Sequence, residues 1–359
     1  MKRAIHQLVA GFASGDAISN EAQVLRGIFR EWGHSSDIFC AGNGVHPEMR
    51  HETRDMRTLA GAVQPEDIVI LHLSIGCDAN ELFPALPGRK VVLYHNVTPA
   101  HFFQTFNTQT ATLLEKGRRQ TAHLAGCAEL NMADSRFNAD ELEAAGYRDV
   151  KVLPLLIEFK HLKNDVDRRV VRACRDGRTN ILFVGRGAPN KKIEDVIRAF
   201  HCYHTCVNPA SRLIHVGSYN GTERYYYLLR AMVRDLKLDG DVVFTKSALQ
   251  PQLNAYYSAA DLFLCMSEHE GFCIPILESM HHDVPVMAYA AAALPETMDG
   301  AGILFYEKQY DAIAEMMGRM TRDRALRQAV IEGQRQRLQR YHHRDLAAEL
   351  RRLLGPMLA

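Results

Sequence analysis

The chain alternates short apolar runs with longer amphipathic segments. Residues 67–72 and 90–94 are apolar almost throughout, which is typical of strands that are covered on both faces. Residues 21–32 have the spacing of an amphipathic helix, and Ser19 or Asn20 is its predicted N-cap. Alternating strands and helices predict an α/β domain with a parallel sheet. Its other predicted strands are residues 7–12, 36–40, 131–134 and 150–154.

The pattern changes at residues 158–180, which hold many charges and little hydrophobic period. A second series of strands and helices follows, with strands at residues 180–184, 212–216, 241–244, 261–265 and 284–288. At 359 residues the chain is too long for one ordinary domain. We therefore predict two Rossmann-like domains and an amphipathic C-terminal helix, with residues 1–160 as the first domain, 161–179 as a linker, 180–340 as the second domain and 341–359 as the final helix.

Composition narrows the function classes. The formal net charge of +1 argues against nucleic acid as a partner. No apolar run reaches the length of a membrane span, and the N-terminus becomes polar too early for a secretory signal. The eight cysteines are scattered and indicate no disulfide framework, so a reducing cytoplasm is predicted. Nothing in the sequence indicates an oligomeric state.

Residues 266–278 follow a predicted buried strand and include the acids Glu270 and Glu278. Gly271 directly follows Glu270 and lets backbone approach a ligand, and Pro275 suits the first turn of a helix. The N-terminus of such a helix attracts a phosphate or a sugar hydroxyl, and Glu278 could accept hydrogen bonds from a ribose diol. On geometry alone, a strand–turn–helix with two solvated acids is an equal alternative.

Two cations follow the strand at residues 180–184. Gly185 permits a sharp exit from the strand, and Arg186 and Lys191 lie close to the strand's C-terminal end. Ligands of open α/β sheets bind at that edge, and paired cations suit a pyrophosphate. A solvated basic turn is the alternative.

Two positions in the first domain also follow strands. His95 comes directly after residues 90–94, where it could bond a substrate hydroxyl, carry a proton or be merely structural. In the loop after the first strand, Asp16 could position an acceptor hydroxyl or cap the next helix. The sequence leaves each of these alternatives open.

These motifs resemble the retaining glycosyltransferases of family 4, which have the GT-B fold. The resemblance lies in Ser267, Glu270, Gly271, Phe272, Pro275 and Glu278, and it departs at Cys273, where the family usually has Gly, and at Ser279. Arg186 and Lys191 fall on the family's diphosphate-binding positions, while Gly187 and Lys192 replace the usual Leu and Gly.

The resemblance implies two Rossmann-like domains facing across a deep cleft, and metal-independent transfer of a hexose without a cofactor. The donor would be a nucleoside-diphosphate sugar of the GDP-mannose or UDP-hexose type, and the acceptor a saccharide or a lipid-linked glycan of a bacterial surface. The roles it implies are catalysis for His95, Glu270 and Asp16, diphosphate binding for Arg186, Lys191 and Gly15, donor-sugar binding for Glu270, Gly271, Phe272, Cys273 and Ile274, and ribose binding for Glu278.

Two other functions remain to be distinguished. A catalytically silent sugar-nucleotide-binding protein would share these motifs, and the departures at Cys273 and Lys192 keep it open. A nicotinamide-dependent oxidoreductase is disfavoured because no G-x-G-x-x-G follows an opening strand.

Three further patterns mimic sites. Asp239 and Asp241 have the spacing of a metal-binding D-x-D pair, but they lie in a turn that leads into a strand, so no metal role is predicted. His and Cys residues at 201–206 lack a second ligand pair and are better explained as one helix. A basic stretch, formed by Lys116, Arg118, Arg119 and His123, is either a solvated face or a peripheral contact with the inner face of the membrane.

Overall fold

The computed structural model describes residues 3–157 and 159–358. Its strands are β1 (Ile5–Val9), β2 (Ile38–Cys40), β3 (Thr53–Asp55), β4 (Ile68–Leu73), β5 (Arg89–Tyr94), β6 (Leu130–Ala133), β7 (Lys151–Val152), β8 (Thr179–Val184), β9 (Ser211–Val216), β10 (Val242–Phe244), β11 (Leu262–Cys265), β12 (Val286–Tyr289) and β13 (Ile303–Phe305). Its α-helices are α1 (Ala17–Glu31), α2 (Leu59–Ala62), α3 (Asp78–Leu82), α4 (Thr108–His123), α5 (Arg136–Ala144), α6 (Arg168–Cys174), α7 (Ile193–Cys206), α8 (Glu223–Asp235), α9 (Gln250–Ala259), α10 (Ile274–His281), α11 (Leu294–Met298), α12 (Tyr310–Arg322), α13 (Arg324–His342) and α14 (Leu346–Leu358).

The chain divides into two compact units. Unit 1 comprises Met1–His101, Gln109–Leu156 and Asp345–Ala359, and unit 2 comprises Phe102–Thr108 and Ile157–Arg344. Phe102–Thr108 therefore belongs to unit 2, although it lies within the first predicted domain in sequence. Phe106 packs edge-on against Tyr225 of unit 2, with 5.1 Å between ring centroids.

Unit 1 is built on a seven-stranded sheet in the order β3-β2-β1-β4-β5-β6-β7, and its paired strands run parallel. The strand order reverses between β1 and β4, which is the point where open α/β sheets bind ligands. The loops that leave β1 and β4 are therefore the expected binding edge of this unit.

The C-terminal helix completes the core of unit 1. Leu346, Leu350, Leu354 and Met357 of α14 are buried together with apolar residues of α1 and of the central strands. The sequence pattern predicted one helix from residue 341. The structure instead ends α13 at His342 and begins α14 at Leu346, because Asp345 caps the new helix through the backbone N–H of Ala348.

Unit 2 has a six-stranded sheet in the order β10-β9-β8-β11-β12-β13, also with parallel pairing. Its order reverses between β8 and β11. The loops that follow these two strands contain the two most specific motifs of the sequence. None of the helices among the described residues combines the length and the apolar character that a membrane span requires.

The first helix begins earlier than the sequence pattern predicted. Ser19 and Asn20, the predicted N-caps, both lie inside α1, and Asp16 is the N-cap instead. Its Oδ2 accepts hydrogen bonds from the backbone N–H of Ser19 at 2.9 Å and from the Ser19 hydroxyl at 2.8 Å. The Asp16 side chain therefore satisfies the Ser19 N–H, which has no partner within the first turn of the helix.

Candidate functional site

Two hydrogen bonds of Asn190 form a bridge between the loops after β8 and β11. The side-chain amide of Asn190 donates to the His269 carbonyl at 2.9 Å, and the Glu268 N–H donates to the Asn190 carbonyl at 2.9 Å. Asn190 is buried, so these bonds are shielded from water. The bridge holds the two loops together at the point where the strand order reverses.

Lys191 and Glu270 form an ion pair at this point. Their side chains are 20% and 8% exposed, so the pair is largely removed from solvent. Burial alone would lower the pKa of Lys191, but the Glu270 carboxylate outweighs it and raises that pKa above its usual value. The structure thus brings together two residues that are 79 positions apart and that the sequence assigned to the diphosphate and to the donor sugar.

The helix α10 starts as the sequence pattern predicted. Pro275 is its second residue, and Cys273 is the N-cap, in the left-handed conformation with φ of 72°. Thr297 donates a hydrogen bond to the Phe272 carbonyl and so fixes the turn that precedes the helix. The first N–H groups of α10 have no partner within the helix and make its start suitable for an anion.

Glu278 lies in the second turn of α10 and is half-buried. The hydroxyl of Tyr257, which is fully buried, donates to its Oε2 at 2.7 Å. Burial raises the pKa of Glu278, and the bond from Tyr257 only partly opposes this. The carboxylate is therefore held in one orientation by a neighbour that the sequence did not indicate.

Arg186 is exposed, and its guanidinium donates to the Asn220 carbonyl at 3.1 Å. The turn beneath it is fixed by a histidine. His215 Nε2 donates to the Gly185 carbonyl at 3.0 Å, and the Tyr219 hydroxyl donates to His215 Nδ1 at 2.7 Å. A Cβ at Gly187 would lie 2.1 Å from the Tyr219 ring, so glycine is required there.

In unit 1, His95 belongs to a buried chain of hydrogen bonds whose direction can be followed from one end. The Gln7 amide donates to the Ala22 carbonyl at 2.8 Å, so its oxygen accepts from His72 Nε2 at 2.9 Å. His72 Nδ1 is then unprotonated and accepts from His95 Nε2 at 2.8 Å. His95 Nδ1 lies 3.0 Å from Asp134 Oδ2 and donates to it. Both ring nitrogens of His95 therefore carry protons.

His95 is thus an imidazolium. Burial lowers its pKa, but Asp134, Glu21 and Asp16 together raise it to about 9. Burial and the neighbouring His95 hold the pKa of His72 well below its usual value, in agreement with its neutral state. Because both nitrogens bond within unit 1, the predicted hydrogen bond from His95 to a substrate hydroxyl has no ring nitrogen left to make it.

The loop after β1 contains the other two predicted residues of unit 1. Asp16 caps α1, which is one of the two alternatives that the sequence left open. Gly15 has φ of 75° and is exposed, with open space where a Cβ would lie. This loop has backbone available to a ligand, but the described contacts of Asp16 are those of a cap.

The contacts of the three patterns that mimic sites can be described from the structure. Within the described residues, neither Asp239 and Asp241 nor the His and Cys residues of α7 form a cluster of three metal-ligand atoms. In the basic stretch, Lys116 pairs with Glu81 at 2.8 Å and Arg118 pairs with Glu141 at 3.1 Å. Acids of unit 1 therefore neutralise part of the positive charge with which this stretch would bind an acidic membrane.

Comparison with known proteins finds a family match for the part of the chain that contains the unit 2 motifs. Residues 167–337 match the family described as "Glycosyl transferases group 1". The chain is 29% identical over 133 residues to the O-antigen chain mannosyltransferase B of Escherichia coli, covering 37% of this chain and 34% of that protein. It is 28% identical over 271 residues to the GDP-mannose:cellobiosyl-diphosphopolyprenol alpha-mannosyltransferase of Xanthomonas campestris, covering 72% and 65%. The chain thus spans about one third and just under two thirds of the length of these relatives.

The crystal structure of Anabaena Alr3699/HepE in complex with UDP and glucose has a TM-score of 0.74 to this chain, at 18% identity, and the match covers 99% of each chain. Together with the two parallel sheets, this confirms the GT-B class of fold that the resemblance implied, as two Rossmann-like domains. The family match confirms the resemblance for the part of the chain that contains both unit 2 motifs.

Proposed function

We propose that this chain transfers a hexose from a nucleoside-diphosphate sugar to a saccharide or lipid-linked acceptor, because residues 167–337 match the glycosyl transferases group 1. The donor is of the GDP-mannose or UDP-hexose type, and we place GDP-mannose first because both curated relatives are named as mannosyltransferases, one of them for GDP-mannose. Synthesis of a bacterial surface glycan is the proposed process.

The ion pair between Lys191 and Glu270 is the observation that carries this proposal. It lies where the strand order of unit 2 reverses, which is where parallel sheets bind nucleotides. A cation and an acid that are held side by side and are largely buried match the two ends of a sugar diphosphate. We assign the ammonium of Lys191 to the phosphates, and the carboxylate of Glu270 to donor hydroxyls together with the Gly271–Ile274 backbone.

The proposed reaction uses no metal. Arg186, Lys191 and the first N–H groups of α10 stabilise the charge that develops on the leaving diphosphate. The acceptor oxygen attacks the anomeric carbon from the side of the leaving group, the bond from that carbon to the phosphate oxygen breaks, and the acceptor proton passes to the departing phosphate. The anomeric configuration is then retained.

The contacts of the other predicted site residues define the roles that we propose for them. Glu278, oriented by Tyr257, is assigned to the ribose. His95 contributes a fixed positive charge instead of a hydrogen bond or a mobile proton. Gly15 supplies backbone N–H to the donor diphosphate, and Asp16 acts by holding the start of α1.

Calorimetric titration with UDP, GDP, ADP and their hexose conjugates, with and without EDTA, tests the donor site. We expect one nucleotide class to bind, with an affinity that EDTA does not change. Lys191→Met should abolish this binding, whereas the matched change at the next residue, Lys192→Met, should weaken it far less. No binding of any nucleotide by the wild-type chain would refute the proposal.

Two product measurements test the chemistry. NMR of the anomeric proton should show retained configuration, and trapping of a covalent glycosyl-enzyme would contradict attack from the side of the leaving group. Binding without transfer to any glycan acceptor, and without hydrolysis of the donor, would identify the chain as the silent sugar-nucleotide-binding alternative.

A further inference from the structure

Two cysteines meet at the acidic residue of the candidate donor site. Cys265 is the last residue of β11 and is fully buried, and Cys273 is 9% exposed. A ligand atom from each of them and one from Glu270 all lie within 4.8 Å of one another. The Cys265 thiol also donates to the Ser267 hydroxyl at 3.3 Å.

Cys273 occupies a backbone conformation that favours glycine. Its φ of 72° is a conformation that glycine adopts freely and that costs other residues about 1 kcal/mol. The resembled motif has glycine at this position. A thiol is present here in spite of the backbone cost, and it lies against the only other sulfur of the cluster.

We propose that Cys265, Cys273 and Glu270 form a binding site for a thiophilic divalent cation such as Zn²⁺. Two thiolates and one carboxylate are a ligand set that Zn²⁺ accepts, and three protein ligands leave a fourth coordination position. Tetrahedral zinc places its ligand atoms about 3.5 Å apart, so the three side chains need to move little.

The charges balance when the cation binds. Two thiols lose their protons to solvent as two metal–sulfur bonds form, which leaves three negative charges on the ligands. The cation and the ammonium of Lys191, which is paired with Glu270, supply three positive charges. A buried cluster of zero net charge avoids the large penalty of an uncompensated charge.

The functional consequence rests on the proposed function. Glu270 and Cys273 are assigned to the donor sugar there, so a bound cation and the donor would exclude each other. The cation would then act as an inhibitor of a reaction that itself needs no metal.

The test is titration of the full-length, reduced and chelator-treated chain with Cd²⁺, followed by the thiolate-to-metal charge-transfer absorption in the ultraviolet and by calorimetry. We expect one Cd²⁺ per chain, displaced by Zn²⁺. Cys265→Ser and Cys273→Gly should each remove the absorption band and weaken binding by at least about 100-fold. Cys273→Gly restores glycine at a left-handed position, so its loss of binding will not reflect misfolding.

A matched control uses the other neighbouring cysteines of unit 2. Cys202 and Cys206 lie one turn apart on α7, and the double variant Cys202→Ser/Cys206→Ser should keep the band. Loss of the band in that variant, or no band in the wild-type chain, would overturn the proposal. If Cd²⁺ binds at Cys265 and Cys273 but no nucleotide sugar competes with it, the metal site stands and the assignment of Glu270 to the donor fails.

Discussion

The charge on His95 leads to a specific prediction for Asp134→Asn. Asp134 is the buried acceptor for His95 Nδ1, at 3.0 Å, and the asparagine has the same shape without the negative charge. With Asp134 gone, Glu21, whose Oε2 lies 3.7 Å from His95 Nδ1, and Asp16 still raise the pKa of His95, but the largest of the three contributions is lost and that pKa should fall. The variant therefore removes the closer of the two ion pairs of His95 and leaves the volume of the core unchanged.

The magnitude follows from the pKa of His95. In the folded chain it is about 9, against 6.5 for an ordinary histidine. Each pKa unit corresponds to about 1.4 kcal/mol, so protonation of His95 favours the folded unit 1 by about 3 kcal/mol, and burial, which raises the pKa of Asp134, offsets part of this. A pKa raised by folding means that this contribution is complete below pH 6.5 and is lost as the pH rises through 9.

The assay is urea unfolding followed by tryptophan fluorescence. Trp32, the single tryptophan of the chain, packs against the core of unit 1 and reports on that unit alone. The free energy of unfolding of the wild-type chain should fall by about 3 kcal/mol between pH 6.5 and pH 9. Asp134→Asn should start lower and show a smaller fall that ends at lower pH, so the two curves should converge at high pH.

The control is Asp345→Asn in unit 1, which keeps the cap of α14, since asparagine caps as well as aspartate, and which is not one of the acids that raise the pKa of His95. Its curve should run parallel to that of the wild-type chain. The charged and titratable groups that face His95 are Asp134, Glu21, Asp16 and His72. If wild type and Asp134→Asn lose stability in parallel from pH 6.5 to pH 9, His95 is not an imidazolium and the tautomer assignment is wrong.

Three further predictions concern unit 2. Lys191→Met should lower the melting temperature of unit 2 as well as remove nucleotide binding, because it leaves a buried carboxylate without its cation; equal melting temperatures would show that the pair is not buried in solution. Glu278→Gln keeps the hydrogen bond with Tyr257 but lacks the charge, so calorimetry should show a nucleotide affinity about tenfold weaker with little change in stability. An unchanged affinity would show that Glu278 does not bind the ribose. Gly187→Ala should lower the free energy of unfolding in denaturant by about 1–3 kcal/mol, because its Cβ would lie 2.1 Å from the Tyr219 ring. Adding Tyr219→Ala should recover part of that loss, and additive losses in the double variant would contradict the steric explanation.

The apolar runs predicted most of the strands, because a strand that is covered on both faces is apolar at nearly every position and so stands out in the sequence. Residues 67–72 and 90–94 differ from β4 and β5 by a single residue at one or both ends. The strands that were missed, β3 and β13, are three residues long, lie at sheet edges and are only partly buried. Hydrophobic pattern contains little signal for such strands.

The candidate site was predicted in parts but not as an arrangement. Lys191 and Glu270 were each placed after a strand, but nothing in the sequence says that β8 and β11 are neighbours, so their ion pair could not be foreseen. The protonation state of His95 could not be predicted from the sequence for a related reason. It depends on the orientation of the Gln7 amide, which is set by a carbonyl on α1.

The position of α14 has a consequence for how the protein can be made. The chain crosses between the units four times, and the last crossing delivers α14 to the core of unit 1. During synthesis, the apolar face formed by Ile5, Leu25 and Met132 is complete long before its covering helix leaves the ribosome. Unit 1 must therefore wait, with that face open, while all of unit 2 is translated. A fragment ending at Leu156 would keep this face exposed permanently and should aggregate.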